Sequence, residues 1–296
     1  PGVMERLGLG YEELAKINPK LVMTSISNFG QTGPYRNFKA SDIVLFALGG
    51  PMYITGVPER EPVNYAYSVI PCHLGYLAAA ATLVAFYVAE QQGTGQHVDF
   101  SMMEALQSNV NWQLTYHTTY QYRGITPGRE VTAFGMLPTG GYPCKDGWVY
   151  MIVDPGWWPK LVAMMGMPEL MEQFPNLFDA TRKDEFDAIF MPWLLERTKQ
   201  EITEMAGAIK LNIGAINTIE DVLNDKHLNS RGAFAEIEHP VAGTLTYPGR
   251  PFVAPETPWI LRSPAPLLGE HNEEIYCKRL GYTEQDLVKL KQIGVI

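Results

Sequence analysis

The most regular pattern of hydrophobic and polar positions lies between Tyr67 and Leu106. Residues 74–89 are apolar almost throughout and rich in alanine, the strongest helix former. Pro71 can open this helix, because the N–H that proline lacks has no intrahelical partner in a first turn. A polar run that ends in Gly93 suits a helix C-terminus. The pattern therefore predicts one long helix that is apolar on every side, which is typical of a helix buried in a core.

The long helix is flanked by predicted strands. Residues 97–101 (HVDFS) are predicted to form a strand, as are residues 20–27 before the helix. Ser101 and Glu104 have the spacing of a capping box, which predicts that another helix begins there. The first strand is followed by a glycine-punctuated loop at 28–34. Loops that leave the carboxyl end of a parallel strand are where α/β proteins place their ligands.

The long helix must also be compared with a membrane span, because residues 62–89 contain no Lys, Arg, Asp or Glu. The alanines, Gly75 and Thr82 make this segment only weakly hydrophobic, and no basic flank orients it. The sequence therefore predicts a core helix and no membrane segment.

The second half of the chain predicts a separate set of elements. Residues 121–138 lose periodicity and gain glycine and proline, which indicates a crossing between domains. After it, the pattern predicts a strand at 147–153 and helices at 157–165, 186–197 and 200–208. It also predicts a hairpin at 234–238 and 243–247, and a helix pair at 272–290 broken at Gly281.

Composition excludes some classes of function. With 296 residues, 46% of them hydrophobic, the chain can bury a large core. Its net charge of −9 comes without a basic stripe, which argues against a nucleic-acid partner. Cys72, Cys144 and Cys277 lack metal-binding spacing and indicate reduced thiols in a cytoplasmic protein that holds no metal. No apolar segment typical of a signal peptide opens the chain.

Residues 93–105, GTGQHVDFSMMEA, are similar to the signature of the class III (CaiB/BaiF-type, formyl-CoA transferase-like) CoA-transferases. Segments at 7–14, 18–30, 146–149 and 266–271 resemble further landmarks of this family in the same order, and residues 212–218 resemble the strand of its small domain. The resemblance covers nearly the whole chain. It implies an α/β fold, with a Rossmann-like open parallel sheet in a large domain, a smaller α+β domain, and two chains interlocked as a dimer.

The resemblance also implies domain limits. Residues 1–125 would form the C-terminal part of the large domain and 126–138 a linker. Residues 139–247 would form the small domain, and 248–296 a segment that returns to the large domain. Family members usually carry a longer leading segment, so we expect this chain to be a truncated form of the family's fold.

Coenzyme A, as an acyl-CoA substrate, and a carboxylic acid are the ligands that the resemblance implies. In formyl-CoA transferase-like members a lysine matching Lys39 contacts CoA, and an acidic residue matching Asp42 supports the active site. The alternative is a solvated lysine and a helix-capping aspartate. Phe29 and Gly30, in the loop after the first predicted strand, are further candidates for CoA binding.

The candidate substrate pocket consists of aromatic and glycine residues. Gly140 and Gly141 correspond loosely to the family's glycine-rich loop, although a turn before a strand explains them equally well. Aromatic residues near the acyl part of the pocket favour a bulky or aromatic acid such as an arylsuccinate. These aromatic candidates are Tyr53, Tyr65, Tyr67 and Trp112.

The family's reaction needs an aspartate that attacks the substrate carbonyl, four residues before a glycine of the buried helix. Counting back from Gly75, that position holds Pro71. Cys72 and His73 are weak replacements, because consecutive helix residues point in different directions and cysteine is commonly buried.

Three hypotheses therefore remain for function. The first is the non-nucleophilic subunit of a heteromeric CoA-transferase, whose homologous partner supplies the aspartate. The second is an acyl-CoA enzyme with altered chemistry, either racemase-like or dependent on Cys72. The related racemases, however, use a histidine just before the residue matching Asp42. In this chain the position of that histidine is occupied by Ser41. The third is a catalytically dead binding or structural paralogue, and a homodimer that turns over acyl-CoA would exclude the first and third.

Overall fold

The computed structural model of the chain describes residues 1–66, 69–109, 113–126, 128–129 and 136–296. Two compact units make up the chain, Pro1–Ala215 and Ile216–Ile296.

The first unit contains ten α-helices and five strands within the described residues. The helices are α1 (Val3–Arg6), α2 (Tyr11–Ile17), α3 (Asp42–Leu48), α4 (Val69–Gln92), α5 (Met102–Asn109), α6 (Gln113–Arg123), α7 (Trp158–Met165), α8 (Leu170–Gln173), α9 (Lys183–Leu195) and α10 (Lys199–Ala208). The strands are β1 (Met23–Ser27), β2 (His97–Ser101), β3 (Thr139–Cys144), β4 (Gly147–Ile152) and β5 (Ile213–Ala215).

β1 and β2 form a parallel pair, in which Met23 lies opposite His97. The strand predicted at 97–101 is confirmed, and the one predicted at 20–27 begins later, at Met23. Gly95, the second glycine of the GTGQ signature, lies just before β2, and its surroundings explain why a glycine is needed there. A Cβ atom at this position would lie 1.9 Å from the carbonyl oxygen of Leu21, and the Gly95 N–H donates to the Pro19 carbonyl at 2.7 Å. Only glycine lets the two backbone segments pass this closely.

The prediction that α4 is buried on every side is wrong for this chain. One stripe is buried, and other positions, including Tyr76, Leu83 and Tyr87, are exposed. The reason is that α3, α5, β1 and β2, which pack on α4 within the described residues, cover only one side of it. The hydroxyls of Thr24 on β1 and Thr82 on α4 lie 2.7 Å apart on the covered side. The buried stripe consists of Ile70, Leu74, Ala78, Ala85 and Ala89.

Among the described residues, α4 is the one helix that is long and apolar enough to cross a membrane, judged by length and composition. The core helix of a soluble protein passes the same test, so this property alone does not decide where α4 lies.

The first core of the unit joins α3, α4 and α5. Its partly buried members include Phe29 from the loop after β1 and Tyr65 from the segment before α4. The fully buried members are Leu45, Phe46, Ile70, Leu74 and Leu106.

The second core lies within residues 136–213 and is built around an antiparallel sheet of order β3-β4-β5. Aromatic side chains from α7, from α9 and from Phe174, the residue after α8, pack edge-on or tilted against one another, which suits the charge distribution of aromatic rings. Its aromatic members are Tyr142, Trp158, Phe174, Phe186, Phe190 and Trp193. The predicted strand at 147–153 and helices at 157–165 and 200–208 are confirmed to within one residue.

The second unit contains the predicted hairpin, with β6 (Phe234–His239) paired antiparallel to β7 (Gly243–Pro248). Two short helices, α11 (Ile219–Leu223) and α12 (Lys226–Ser230), precede it. A wide-turn helix at Glu273–Arg279 and α13 (Glu284–Gln292) follow, with Gly281 between them in a left-handed conformation at φ +76°. The predicted break of the last helix pair at Gly281 is confirmed.

The predicted α/β class is also confirmed, since a parallel pair connected through helices coexists with smaller antiparallel sheets. The interlocked dimer and the domain limits at 125, 138 and 247 stay predictions. Residues 127 and 130–135 of the predicted crossing at 121–138 lie outside the described residues.

Candidate active site

The loop that follows β1 is held in place by Asp99 on β2. Both carboxylate oxygens of Asp99 accept a hydrogen bond from the backbone N–H of Gln31, at 3.1 and 3.0 Å. Gly30 is buried and has a φ of +86°, a left-handed conformation that glycine adopts without strain. The Phe29 side chain packs against the first core. Phe29 and Gly30, the predicted CoA-binding residues, therefore lie in a defined loop at the carboxyl end of β1.

Asp42 is the first residue of α3, and Lys39 lies in the segment just before it. Lys39 is exposed, which leaves its ammonium group available as a point charge for a phosphate. Asp42 is half-buried and is the first residue of α3, where the helix dipole stabilises a carboxylate. The Asn28 side-chain amide donates to the Ala40 carbonyl at 3.1 Å, so this segment contacts the loop after β1. The roles of Lys39 and Asp42 in binding or catalysis stay predictions.

Pro71, Cys72 and His73 lie in the first turns of α4. Pro71 and Cys72 are exposed, whereas the His73 ring is half-buried. The Nε2 atom of His73 is buried and finds no hydrogen-bond partner among the described residues. The different exposure of neighbouring Cys72 and His73 agrees with the expectation that they point in different directions.

Tyr65 is half-buried, and Tyr53 lies on the surface. The Tyr65 ring packs 4.8 Å from the Phe46 ring in the first core, and burial raises the pKa of its hydroxyl above the ordinary value. Tyr53 is exposed. The other two aromatic candidates, Tyr67 and Trp112, lie outside the described residues.

Arg129 is a residue that the sequence did not single out. Its guanidinium donates to the backbone carbonyls of Tyr53, Val57 and Arg60, at 3.3, 3.2 and 3.2 Å. A planar guanidinium with five N–H donors suits this arrangement. Every residue has a backbone carbonyl, so no sequence pattern marks the ones that accept a hydrogen bond. This contact could therefore be found only in the structure. Arg129 fixes the loop that precedes Tyr65.

Gly140 and Gly141 lie in a strand, which corrects the prediction of a glycine-rich loop or turn. Both belong to β3, where they pair with Met151 and Tyr150 of β4. Ladder hydrogen bonds to β4 outweigh the flexibility of two glycines, and β3 is an edge strand, which also tolerates Pro143. Their contribution to a substrate pocket stays a prediction.

A second polar contact that the sequence did not reveal joins β1 to β2. The Ser25 hydroxyl lies 2.8 Å from Nε2 of His97, and the His97 ring stacks on Tyr11 at a centroid distance of 5.7 Å. A cavity of about 310 Å³ adjoins this stack. Its lining includes the carboxylates of Glu5, Glu12 and Glu13, which disfavour an anionic ligand such as CoA.

The first core brings two of the predicted residues together and lies next to a third. Phe29 and Tyr65 pack against it, and it includes Ile70, the residue before Pro71. Gly140 and Gly141 belong to the sheet of the second core instead. The candidate active site therefore consists of the loop after β1, the segment before α4 and the first turns of α4.

Comparisons with a family model and with known proteins all point to the same family. A family model described as CoA-transferase family III matches residues 1–272. Formyl-CoA:oxalate CoA-transferase of Streptomyces coelicolor is 31% identical over 314 residues, which cover 100% of this chain and 76% of that protein. The BbsE subunit of succinyl-CoA:(R)-benzylsuccinate CoA-transferase from Thauera aromatica is 30% identical over 317 residues, covering 100% of this chain and 74% of the relative.

A solved structure agrees with the sequence matches. The crystal structure of a CAIB/BAIF family protein from Brucella suis superimposes with a TM-score of 0.78 and 25% identity, over 94% of this chain and 72% of the other. The order of strands and helices and the sequence signature around Gly95 therefore have the same explanation: this chain belongs to CoA-transferase family III.

Proposed function

We propose that this chain is the non-nucleophilic subunit of a heteromeric class III CoA-transferase and acts on an acyl-CoA and a carboxylic acid together with a homologous subunit. The observation that carries this proposal is Pro71, exposed in the first turn of α4 beside the first core. By resemblance, this is the position of the family's nucleophilic aspartate. A proline side chain cannot attack a carbonyl or transfer a proton, so in this proposal the carboxylate comes from the homologous partner subunit.

The chemistry assigned to the partner's aspartate needs no other reactant. Its carboxylate attacks the thioester carbonyl of the donor, forming a mixed anhydride and releasing the CoA thiolate. The thiolate then attacks the aspartyl carbonyl, which releases the donor acid and leaves an aspartyl-CoA thioester. The acceptor carboxylate reverses these two steps, so the products are the acceptor's CoA thioester, the free donor acid and the unchanged aspartate.

A subunit role is supported by the Thauera aromatica relative, which is named as one subunit of a benzylsuccinate CoA-transferase. The same relative supports an aromatic or bulky acid as acceptor. Tyr65, half-buried against the first core close to the start of α4, is suited to lie beneath such an acid. Lys39 and the loop of Phe29 and Gly30 are the groups proposed to bind CoA.

Assembly with a partner is supported by the exposed apolar side of α4, since obligate subunits bury such surfaces. We expect the complex in the cytoplasmic, detergent-free fraction of its source cells. Recovery only with detergent would contradict this and make α4 a membrane segment.

Native mass spectrometry of the untagged protein from its source cells tests the proposal. We expect two different chains, the second with an aspartate at the position matching Pro71, and transfer activity only from the pair. A homodimer that transfers CoA between acids without any second chain would overturn the proposal.

Altered acyl-CoA chemistry is the second candidate, because the unpaired thiol of Cys72 is exposed next to Pro71. In that case the Cys72→Ala variant of a homodimer would lose its activity towards acyl-CoA. Unchanged activity in this variant would exclude the thiol as the nucleophile.

A further inference from the structure

A cavity lies at the C-terminal end of the second unit, between α13 and the loop before the wide-turn helix. Its volume is about 370 Å³. A water molecule occupies only about 30 Å³, so the cavity has room for a ligand of several heavy atoms. This volume is at the lower end of the range in which proteins bind small molecules.

One wall of the cavity is a face of α13. Leu287, Val288 and Lys291 line this wall, and residues three or four positions apart share one face of an α-helix. After the helix the chain turns back at Gly294, which has a left-handed conformation at φ +70°. The turn brings the side chain of Ile296 to the same cavity. α13 and the turn after it therefore supply a mainly apolar wall with one charge.

The other wall is the loop that precedes the wide-turn helix. Gly269 has a φ of +74°, and its carbonyl accepts the Asn272 N–H at 3.0 Å. The side-chain amide of Asn272 lies over Gly269, since a Cβ atom added there would be 3.2 Å from its Nδ2 atom. The Leu267 N–H donates to the Glu270 carboxylate at 2.7 Å. These bonds order the loop before a ligand arrives, so less ordering opposes binding.

The polar groups of the lining are the Asn272 amide and the Lys291 ammonium group. Neither side chain forms a hydrogen bond or an ion pair with another described residue. Among the described residues no Asp or Glu lines the cavity, although the chain carries a net charge of −9. An unpaired cation and an amide donor beside apolar side chains suit a ligand with an apolar body and one anionic end.

We propose that this cavity binds a small monocarboxylic acid. Its carboxylate would contact Lys291 and Asn272, and its apolar body would lie between Leu287 and Ile296. Apolar cavities of this size bind apolar groups more readily than water, which favours a hydrocarbon body. All of these residues belong to the second unit, whereas the candidate active site consists of residues of the first unit. The inference therefore goes beyond the proposed function and does not depend on it.

Methyl NMR of the full chain in its assembly tests the proposal, with the isoleucine methyl groups labelled. Ile296 reports on the cavity, and Ile70 reports on the start of α4. The probes are hexanoate, hexanamide and hexylamine. We expect hexanoate to shift the Ile296 signal to saturation and hexanamide to show a Kd about fivefold higher, the upper end of what an exposed ion pair contributes. Hexylamine should leave Ile296 unchanged, because its charge has the same sign as Lys291.

Variants of α13 separate charge recognition from folding. Lys291→Met keeps an apolar stem and should raise the Kd for hexanoate about fivefold while leaving that for hexanamide unchanged. Lys291→Arg keeps the charge and should stay within about twofold of the wild-type Kd. Val288→Trp, at an exposed position of the lining, should fill the cavity and abolish the response of Ile296 to both probes.

Lys289→Met is the matched control, because it removes the same charge from α13 at a position that does not line the cavity. It should leave the Kd for hexanoate unchanged. An equal loss in Lys289→Met and Lys291→Met would contradict recognition by Lys291 and indicate a general effect of charge.

Two further results would overturn the proposal. The first is a wild-type Ile296 signal that no probe shifts, or a response to hexanoate at Ile70 alone, since the cavity would then be no acid site. The second is an equal Kd for hexanoate and hexanamide, because the carboxylate would then play no part in binding.

Discussion

The carboxylate of Asp99 and the backbone N–H of Gln31 form the contact that fixes the loop after β1 to the neighbouring strand β2. Asp99 belongs to the family signature, and Gln31 follows the buried Gly30 of the candidate active site. An aspartate of the signature that lies beside a candidate catalytic region suggests a catalytic role. Here its geometry explains a positioning role instead, because both oxygens already accept the Gln31 N–H.

Replacing Asp99 with alanine should loosen the loop after β1. A hydrogen bond to a charged group contributes about 1.5–3 kcal/mol, so we expect the Gln31 amide of Asp99→Ala to exchange with deuterium at least about tenfold faster. Asp99→Asn keeps one acceptor oxygen and should show a smaller increase. Mass spectrometry of the peptide that covers residues 28–34 measures the effect.

Asp154 provides the control, because its Oδ1 atom accepts the Gly156 N–H at 2.9 Å in a loop of the second core region. Asp154→Ala should raise exchange around Gly156 and leave residues 28–34 unchanged. Equal protection of residues 28–34 in Asp99→Ala and the wild-type protein would contradict the positioning role.

Gly95 should not tolerate a side chain. The added Cβ would collide with the backbone of Leu21, not with a side chain that can move, so the two segments must separate. We expect Gly95→Ala to lower the free energy of unfolding by about 3 kcal/mol, the upper part of the range for overpacked sites. Denaturant titration measures the change.

Gly207 is the matched position for this test. It lies in α10 with nothing within 4 Å of an added Cβ, and its φ is not positive. Gly207→Ala should leave the stability equal or raise it by up to about 1 kcal/mol, because alanine favours helix. Similar stability of Gly95→Ala and Gly207→Ala would show that the close approach at Gly95 is wrong.

The sequence predicted the parts of this fold that depend on local patterns. The strand at 97–101, the hairpin around His239 and the break at Gly281 follow from alternation, turn residues and glycine, all of which act over a few residues. The same holds for the backbone N–H of Glu104, which donates to the Ser101 hydroxyl at 3.3 Å as the capping-box spacing suggests. Local chemistry alone determines such elements.

The sequence was insufficient where a partner distant along the chain decides the outcome. The composition of α4 indicates burial, but it cannot say which other elements are present to cover each side. Two adjacent glycines, Gly140 and Gly141, suggest a turn, because the sequence does not show that they pair with β4 in the folded chain. The hydrogen bonds of Arg129 join positions about seventy residues apart. Their acceptors are backbone carbonyls, which every residue possesses.

Arg129 should protect the loop before α4 from proteolysis. Arg129→Ala removes three hydrogen bonds to the carbonyls of Tyr53, Val57 and Arg60, so we expect trypsin to cleave after Arg60 at least about tenfold faster. Arg129→Lys should rescue little, since an ammonium group cannot reproduce the planar fork of the guanidinium. Cleavage after Arg262, an exposed site in the second unit, is the internal control. Unchanged cleavage after Arg60 in Arg129→Ala would show that these hydrogen bonds do not hold the loop.

Acid should weaken the start of α10. The backbone N–H and hydroxyl of Thr198 donate to the Glu201 carboxylate at 2.7 and 2.9 Å, and these bonds hold the pKa of Glu201 below its ordinary value of 4.5. A lowered pKa in the folded state stabilises the protein above pH 4.5, and this stabilisation is lost as the pH falls through the folded-state pKa. We therefore expect Glu201→Gln to have a lower Tm than the wild-type protein at pH 7, with the difference shrinking as the pH falls below 4.5 and through the lowered pKa of Glu201 in the folded state.

Scanning calorimetry across this pH range measures the Tm difference. Glu172→Gln, at an exposed glutamate of α8, should follow the wild-type profile throughout. A Tm difference for Glu201→Gln that is the same at pH 7 and pH 3 would mean that the carboxylate charge does not stabilise the helix start.

Restoring a carboxylate at position 71 tests whether Pro71 stands where a nucleophile belongs. The side chain lies in the first turn of α4 and is exposed, and the helix N-terminus there stabilises negative charge. We expect Pro71→Asp, incubated with an acyl-CoA, to gain the mass of a CoA adduct that hydroxylamine removes, because an aspartyl-CoA thioester is sensitive to that amine. The wild-type protein should gain none.

Cys72→Asp is the matched control, since it places the same group about 100° further round the helix, away from the proposed direction of attack. An adduct on both aspartate variants would indicate unspecific acylation, and an absent adduct on a Pro71→Asp variant that binds CoA normally would remove the reason for assigning a nucleophilic partner subunit.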